Sequence, residues 1–396
     1  MRRSRKKGAL GALAAALAFG AFVSYYVATR PKPLLQSARV FCEVKAWSKQ
    51  TLYPTPNCYY WLGNNDVLIS TNRGAYPPSL SRVTVGRDGK AGSPSRFPNS
   101  STGDLIVSPN GKFVAYLDSV AGPITVTAGV PVRSQTTYLV ICSVDAEPTL
   151  RRRWVGSETM LPDEIAKLAW APDNRILYYL QTLPRPCICR MDMQTGKIVG
   201  LPLPPEVRLR GNSEHAPYPS EDRILGFTSN RSVLIGCPYV QTRAFFDAFG
   251  DPAVGQPDVN FPSASLIELS LDERPKVIRT YSPANPHHAD MGVLALSPRG
   301  DRLLWGMLCA EKPSALEVRL HRFLPGLRGE ASVVERGWVS HLDGSDMKEI
   351  GYYTIPGATS SKAFANEPWI LDPKWTPDGK RISFLFKDRI MTVPVD

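Results

Sequence analysis

Apolar residues along this chain come in short unbroken runs, and each run is opened by a turn written in nearly the same letters. Residues 108–116 read SPNGKFVAY and residues 376–384 read TPDGKRISF. A relaxed pattern of a small or aromatic residue, Pro, a polar pair, a basic residue and an apolar run finds four more copies. They are WAPDNRILYYL (170–180), YPSEDRILGF (218–227), LSPRGDRLLWGM (296–307) and, most degenerate, WLGNNDVLIS (61–70). Self-similarity at a spacing of tens of residues marks a repeat architecture.

Each copy predicts a hairpin. Pro sets φ on the way into the turn, and Asn or Asp followed by Gly or Asn supplies the positive φ of a tight reversal. The run that follows, such as Phe113-Val114-Ala115-Tyr116, is apolar without alternation, which predicts a strand covered on both faces. Two further strands follow, around Thr195-Gly196-Lys197 in CICRMDMQTGKIVGL and around Asp343-Gly344-Ser345 in GWVSHLDGSDMKEIGYY. Four-stranded units repeated radially are propeller blades. The fold class is therefore all-β: a six-bladed β-propeller of four-stranded antiparallel blades. With 36 Pro and 30 Gly, the chain is punctuated throughout, and no long helical period occurs beyond the N-terminus.

The small-Pro-Asp-Gly-Lys/Arg-apolar unit with its downstream Asp-Gly-Ser turn resembles the WD-repeat-like blade of TolB-type propellers of bacterial envelope proteins. The resemblance runs from about residue 57 to the end of the chain. It implies the fold and is nearly silent on function, because such blades serve binding proteins and enzymes alike. TolB proper carries a small mixed domain before its propeller; here only about 30 residues separate the apolar N-terminal run from the first blade.

The N-terminus differs in kind. Residues 1–7 are basic, and GALGALAAALAFGAFVSYYVA (8–28) runs without a charge, about the 20 residues that span a bilayer as a helix. The alternatives are an uncleaved transmembrane helix (a signal anchor) and a cleaved signal peptide. Tyr25-Tyr26-Val27-Ala28 lacks the small-x-small site of the latter. The expected layout is a cytoplasmic basic tail (1–7), an anchor (8–28), a linker (29–37) and the propeller (38–396), outside the cytoplasm in a bacterial envelope, periplasm included. Seven basic residues before position 33 account for most of the net charge of +11, leaving +4 for the rest. Nucleic acid is thus not an expected partner, and Arg151-Arg152-Arg153 reads as the charged protection of an outer strand.

Seven cysteines are irregularly spaced. Cys187 and Cys189, two apart on a strand, share a face between blades. Cys237 and Cys309 each end the inner hairpin of adjacent blades, where one disulfide is open to them.

Strand counting places long insertions at 118–137, 231–262 and 309–332, all on the face reached by the second-to-third strand connections. Long loops on one face mark a binding surface, and Tyr239, Phe245, Phe246 and Phe249 are its candidate contacts. Segments leading to the innermost strands carry Asp104, Asp163, Glu164, Glu214, His215, His287, His288, Asp290, Glu367 and Asp372 at the channel mouth. Oligogalacturonate lyases, which resemble this propeller, use such a mouth with a metal. Here His287 and His288 alternate sides, and His321 and His341 fall elsewhere, so no metal site or cofactor is expected.

Gly-x-Ser-x-Gly, His-Glu-x-x-His and phosphate-binding Gly loops are absent, and the chain stops at Asp396 inside the sixth blade. The expected function is a non-catalytic, monomeric binder of a protein or polysaccharide. The alternative is a metal-dependent polysaccharide lyase or hydrolase at the channel mouth. The sixth blade counts one strand short, so ARVFCEVKAW (38–47) is expected to complete it beside 389–395.

Overall fold

The computed structural model describes residues 33–43, 59–71, 79–86, 91–93, 95–96, 105–127, 130–145, 148–153, 168–181, 187–207, 223–236, 266–281, 292–311, 318–319, 332–355, 371–386 and 389–395. They form six antiparallel sheets of four strands each.

Blade 1 holds β2 (Tyr59–Gly63), β3 (Asp66–Thr71), β4 (Ser79–Thr84) and β5 (Ser95–Arg96), and blade 2 holds β6 (Leu105–Val107), β7 (Phe113–Thr127), β8 (Val130–Ser143) and β9 (Pro148–Arg153). Blade 3 comprises β10 (Leu168–Trp170), β11 (Ile176–Gln181), β12 (Cys187–Asp192) and β13 (Ile198–Pro202). Blade 4 comprises β14 (Arg223–Phe227), β15 (Val233–Gly236), β16 (Leu266–Leu269) and β17 (Val277–Tyr281). Blade 5 comprises β18 (Gly292–Leu296), β19 (Arg302–Glu311), β20 (Ser332–His341) and β21 (Lys348–Ile355). Blade 6 joins β22 (Leu371–Trp375), β23 (Arg381–Phe386) and β24 (Arg389–Pro394) to β1 (Arg39–Glu43), which follows the one-turn helix α1 (Leu34–Ser37).

β1 lies antiparallel to β24, with Arg39 opposite Thr392 and Glu43 opposite Arg389. The two ends of the chain thus share one sheet, and this blade carries no unpaired third-strand edge. Apolar seams pack blade against blade: one core joins blades 1, 2 and 3, and others join 3 to 4, 4 to 5, 5 to 6 and 6 to 1. Burial of the second strands on both sides follows, as in the pattern Val233–Gly236, buried throughout.

The turns explain the repeated letters. In blades 2 to 6 the fourth turn residue (Gly111, Asn174, Arg231, Gly300, Gly379) returns its N–H to the carbonyl of the opening small residue (Ser108, Ala171, Thr228, Ser297, Thr376) at 2.8–3.0 Å. That fourth residue has φ between 60° and 71° in every case, the left-handed region in which Gly and Asn cost least. In blades 2, 5 and 6 the opening hydroxyl also accepts the N–H that starts the next strand, Ser108 Oγ from Phe113 at 2.9 Å and Ser297 Oγ and Thr376 Oγ1 from Arg302 and Arg381 at 3.1 Å, whereas the Thr228 hydroxyl of blade 4 donates to Glu268.

Two expectations change here. In the fourth copy Arg223–Phe227, expected as the strand after the turn, is the innermost strand itself, and the turn to the second strand is Thr228-Ser229-Asn230-Arg231-Ser232. It closes from Thr228 to Ser232, one residue sooner than Ser108 to Phe113 in blade 2, with neither Pro nor Gly. Residues 118–137 are not a loop but the extension of the β7/β8 hairpin, paired out to Thr127 and Val130. No helix among the described residues is long and apolar enough to cross a membrane, and 8–28 lie outside them.

Candidate functional site

Strand direction sorts the connections onto two faces. First-to-second and third-to-fourth connections share a tight-turn face, and second-to-third connections share the opposite, insertion face. The tight-turn face is knitted across blades: Asn110 donates its N–H to Asn174 Oδ1 at 2.8 Å, and Ser229 donates to the Gly300 carbonyl at 3.2 Å. Its aspartates serve the turns. The Thr195 amide, with the Arg175 guanidinium and the Gln194 amide, holds the Asp192 carboxyl down at about 2. Asp343 is lowered in the same way by the Ser345 hydroxyl and amide. These depressed carboxylates are structural.

The insertion face carries the β7/β8 ribbon. The innermost strand β6 pairs with β7 only as far as Tyr116, and β9 pairs with β8 only from Cys142 to Tyr138. From Ser119 opposite Thr137 to Thr127 opposite Val130 the ribbon is therefore two strands wide, with no flanking strand among the described residues. Its sequence from 119 to 137, SVAGPITVTAGVPVRSQTT, holds a single charge, Arg133, and Ile124 is 63% exposed. A long, nearly uncharged strand edge is a ready template for pairing with another chain. Reading 118–137 as an insertion located the segment but missed its structure. The alternation of β-branched residues, Val120, Ile124, Val126, Val130 and Val132, was the available signal.

The connections 237–265 and 312–331 leave the same face, the first outside the described residues and the second described only at Val318 and Arg319. Tyr239, Phe245, Phe246 and Phe249 lie outside the described residues, as do the channel-mouth candidates Asp104, Asp163, Glu164, Glu214, His215, His287, His288, Asp290 and Glu367. Asp372 is on β22, and His341 ends β20, exposed at the tight-turn face. Among the described residues no three His, Cys, Asp or Glu side chains gather as a metal cluster.

Where the chain joins the ring bears on how the faces are presented. β1 runs from the tight-turn end of blade 6 toward the insertion end, as its register with β24 requires. The residue at the end of α1, Ser37, lines a cleft of about 850 Å³ on the tight-turn face between blades 5 and 6, beside Arg299, Asp301, Lys348 and Lys380. The insertion face is thus the one remote from the point where the N-terminal segment arrives.

This closed ring of six four-stranded sheets is a six-bladed β-propeller. No family model and no curated protein matches the chain. Solved structures similar to it include a putative TolB from Agrobacterium tumefaciens, at 14% identity over 89% of this chain and 96% of that one, with a TM-score of 0.40. TolB from Acinetobacter baumannii is 12% identical over 83% of this chain and 63% of that one, TM-score 0.37. A chain of a mitotic checkpoint complex is 12% identical over 93% and 95%, TM-score 0.41. The likeness concerns the fold alone, which the strand order establishes independently.

Proposed function

We propose that this chain is a non-catalytic binding propeller that takes a protein partner on its insertion face, held by residues 8–28 to a bacterial envelope membrane with the propeller on the extracytoplasmic side. The β7/β8 ribbon carries this reading. Its nearly uncharged edges, flanked by no strand among the described residues, suit the addition of a partner strand, in which main-chain hydrogen bonds give affinity and alternate side chains give specificity. The arrival of the N-terminal segment on the tight-turn face supports it, since a tether there leaves the insertion face directed away from the bilayer. The aromatics Tyr239, Phe245, Phe246 and Phe249 would add contacts on that same face.

The test compares the full chain with a variant whose residues 119–137 are replaced by a two-residue Asn-Gly turn, both crosslinked in intact cells and purified from membranes. The expected result is an unchanged melting temperature and loss of a crosslinked partner that the wild type retains. Equal recovery by both proteins overturns the ribbon's role, and recovery of the wild type from the soluble fraction overturns the tether. Stoichiometric Mn or Zn that disappears in His215→Ala and His287→Ala would instead favour the lyase or hydrolase alternative.

A further inference from the structure

Cys187 and Cys189 sit on the side of β12 that also bears Met191, whose own side chain belongs to the core shared with blade 2. Their sulfurs are 3.6 Å apart and neither is in a disulfide. Cys189 is buried, and Cys187 is partly exposed at the insertion-face end of the strand. Across the ladder from Cys189 stands Gly200, where a Cβ would lie 3.7 Å from Cys187 Sγ, so no side chain stands opposite Cys189 on β13, while Pro202 faces Cys187.

Two thiols held side by side can close a disulfide or chelate a soft cation. A disulfide needs Cβ atoms about 3.8 Å apart, whereas same-side neighbours in an extended strand, whose side chains stand nearly parallel, keep their Cβ atoms as well as their Cα atoms about 6.6 Å apart. β12 is laddered to β11 on one side and β13 on the other through both cysteines, so it has no freedom to pucker. A cation asks for less. Two metal–sulfur bonds of about 2.3 Å each span about 4.6 Å when linear, so each sulfur moves outward by about half an ångström, which a χ1 adjustment supplies. With no third Cys, His, Asp or Glu gathered nearby among the described residues, the site suits an ion content with two thiolates, and of the metals that thiolates favour Cu(I) is the one that asks for so few ligands.

We propose that Cys187 and Cys189 form a two-sulfur site for one soft monovalent cation of the Cu(I) class. Each thiol gives up its proton on binding, so affinity rises with pH. Cys187 is the side open to solvent, and Cys189 completes the pair from within.

The experiment titrates the reduced, full-length protein anaerobically with Cu(I) in competition with bicinchoninate. Cys58, Cys237 and Cys309 are replaced by Ser to remove other thiols. One equivalent should bind, and Cys187→Ser and Cys189→Ser should each abolish it, while Cys42→Ala and Cys142→Ala retain it. Melting curves of the metal-free variants identify any that fail to fold. Cys187→Ala, at the partly exposed position, then serves as the second test of the pair. Binding unaffected by these changes, or no binding by the parent protein, overturns the site. So does a Cys187–Cys189 disulfide in protein that takes up no Cu(I).

Discussion

Tyr59 and Ser383, 324 residues apart in sequence, meet at 2.7 Å, with the Tyr59 hydroxyl donating to Ser383 Oγ. Trp61 Nε1 donates to the same oxygen at 2.9 Å, and Ser383 passes its own proton to the Lys374 carbonyl at 3.1 Å. Blade 1 is thereby locked to blade 6 through one fully satisfied hydroxyl. Tyr59 and Ser383 are both 0% exposed, so water cannot substitute. Ser383→Ala leaves two donors without their acceptor and should cost about 2–3 kcal/mol. Tyr59→Phe, which removes only one donor, should cost about 1 kcal/mol. Urea unfolding of both variants checks the order, and equal losses would show that the seam does not depend on Ser383.

The tight turns predict a contrast between glycines. Gly111 has φ +70°, and a Cβ there would fall 1.6 Å from the Leu62 carbonyl oxygen of the neighbouring blade. Gly63, in the degenerate first copy, has nothing within 4 Å of such a Cβ. Gly111→Ala should therefore destabilise by about 3 kcal/mol or more, and Gly63→Ala should stay within about 0.5 kcal/mol. Thermal melts of the two variants make the comparison.

Glu268, 3% exposed on β16, accepts hydrogen bonds from Thr228, Ser232 and Tyr281. Burial works to raise its pKa, but these three donors together with Arg279 outweigh it and hold the carboxyl below its ordinary 4.5. A folded-state value below the unfolded one means stability that is present above pH 4.5 and lost as pH falls through the folded value. Glu268→Gln should lower stability at pH 7 by about 1.5–3 kcal/mol and flatten the acid limb of a stability–pH profile. An acid limb unchanged by the substitution would assign it to other carboxylates.

Thiol reactivity should report whether β1 stays in the ring. Burial pushes Cys42 up to about 11, whereas the Cys187 S–H, against the opposing effect of burial and with help from the Tyr179 hydroxyl, brings Cys189 down to about 7. Iodoacetamide at pH 8, followed by peptide mass mapping, should modify the Cys187–Cys189 pair, which reaches solvent through Cys187, well before the buried Cys42. Comparable rates would mean that β1 separates readily from β24.

Much of the fold is legible in local letters. A Pro-Asn-Gly-Lys turn needs nothing from the rest of the chain, because positive φ at Gly and the Ser or Thr hydroxyl bond are satisfied within six residues. Blade 4 shows the limit. Arg223-Ile224-Leu225-Gly226-Phe227 after Asp222 looks like the strand beyond a turn, yet it is the strand before one, because Thr228–Ser232 makes its turn with Arg231 in the left-handed region. The candidate site is less legible still. The insertion at 118–137 was visible as length, but its hairpin pairing depends on a bulge between Ala121 and Ile124 that no local motif announces.

By itself, then, the sequence determined the repeating hairpin, the apolar second strands and the location of the large insertions, since each rests on residues within one turn or one run. Only the tertiary structure decided what ring closure brings together: Ser383 as the acceptor for Tyr59 and Trp61, Ser37 on the tight-turn face, the two sulfurs of β12 beside the vacant flank of Gly200. Such relationships depend on the angle at which blades stack and on the register of strands hundreds of residues apart. Those are set by the summed packing of six apolar seams, which no single stretch of the chain encodes.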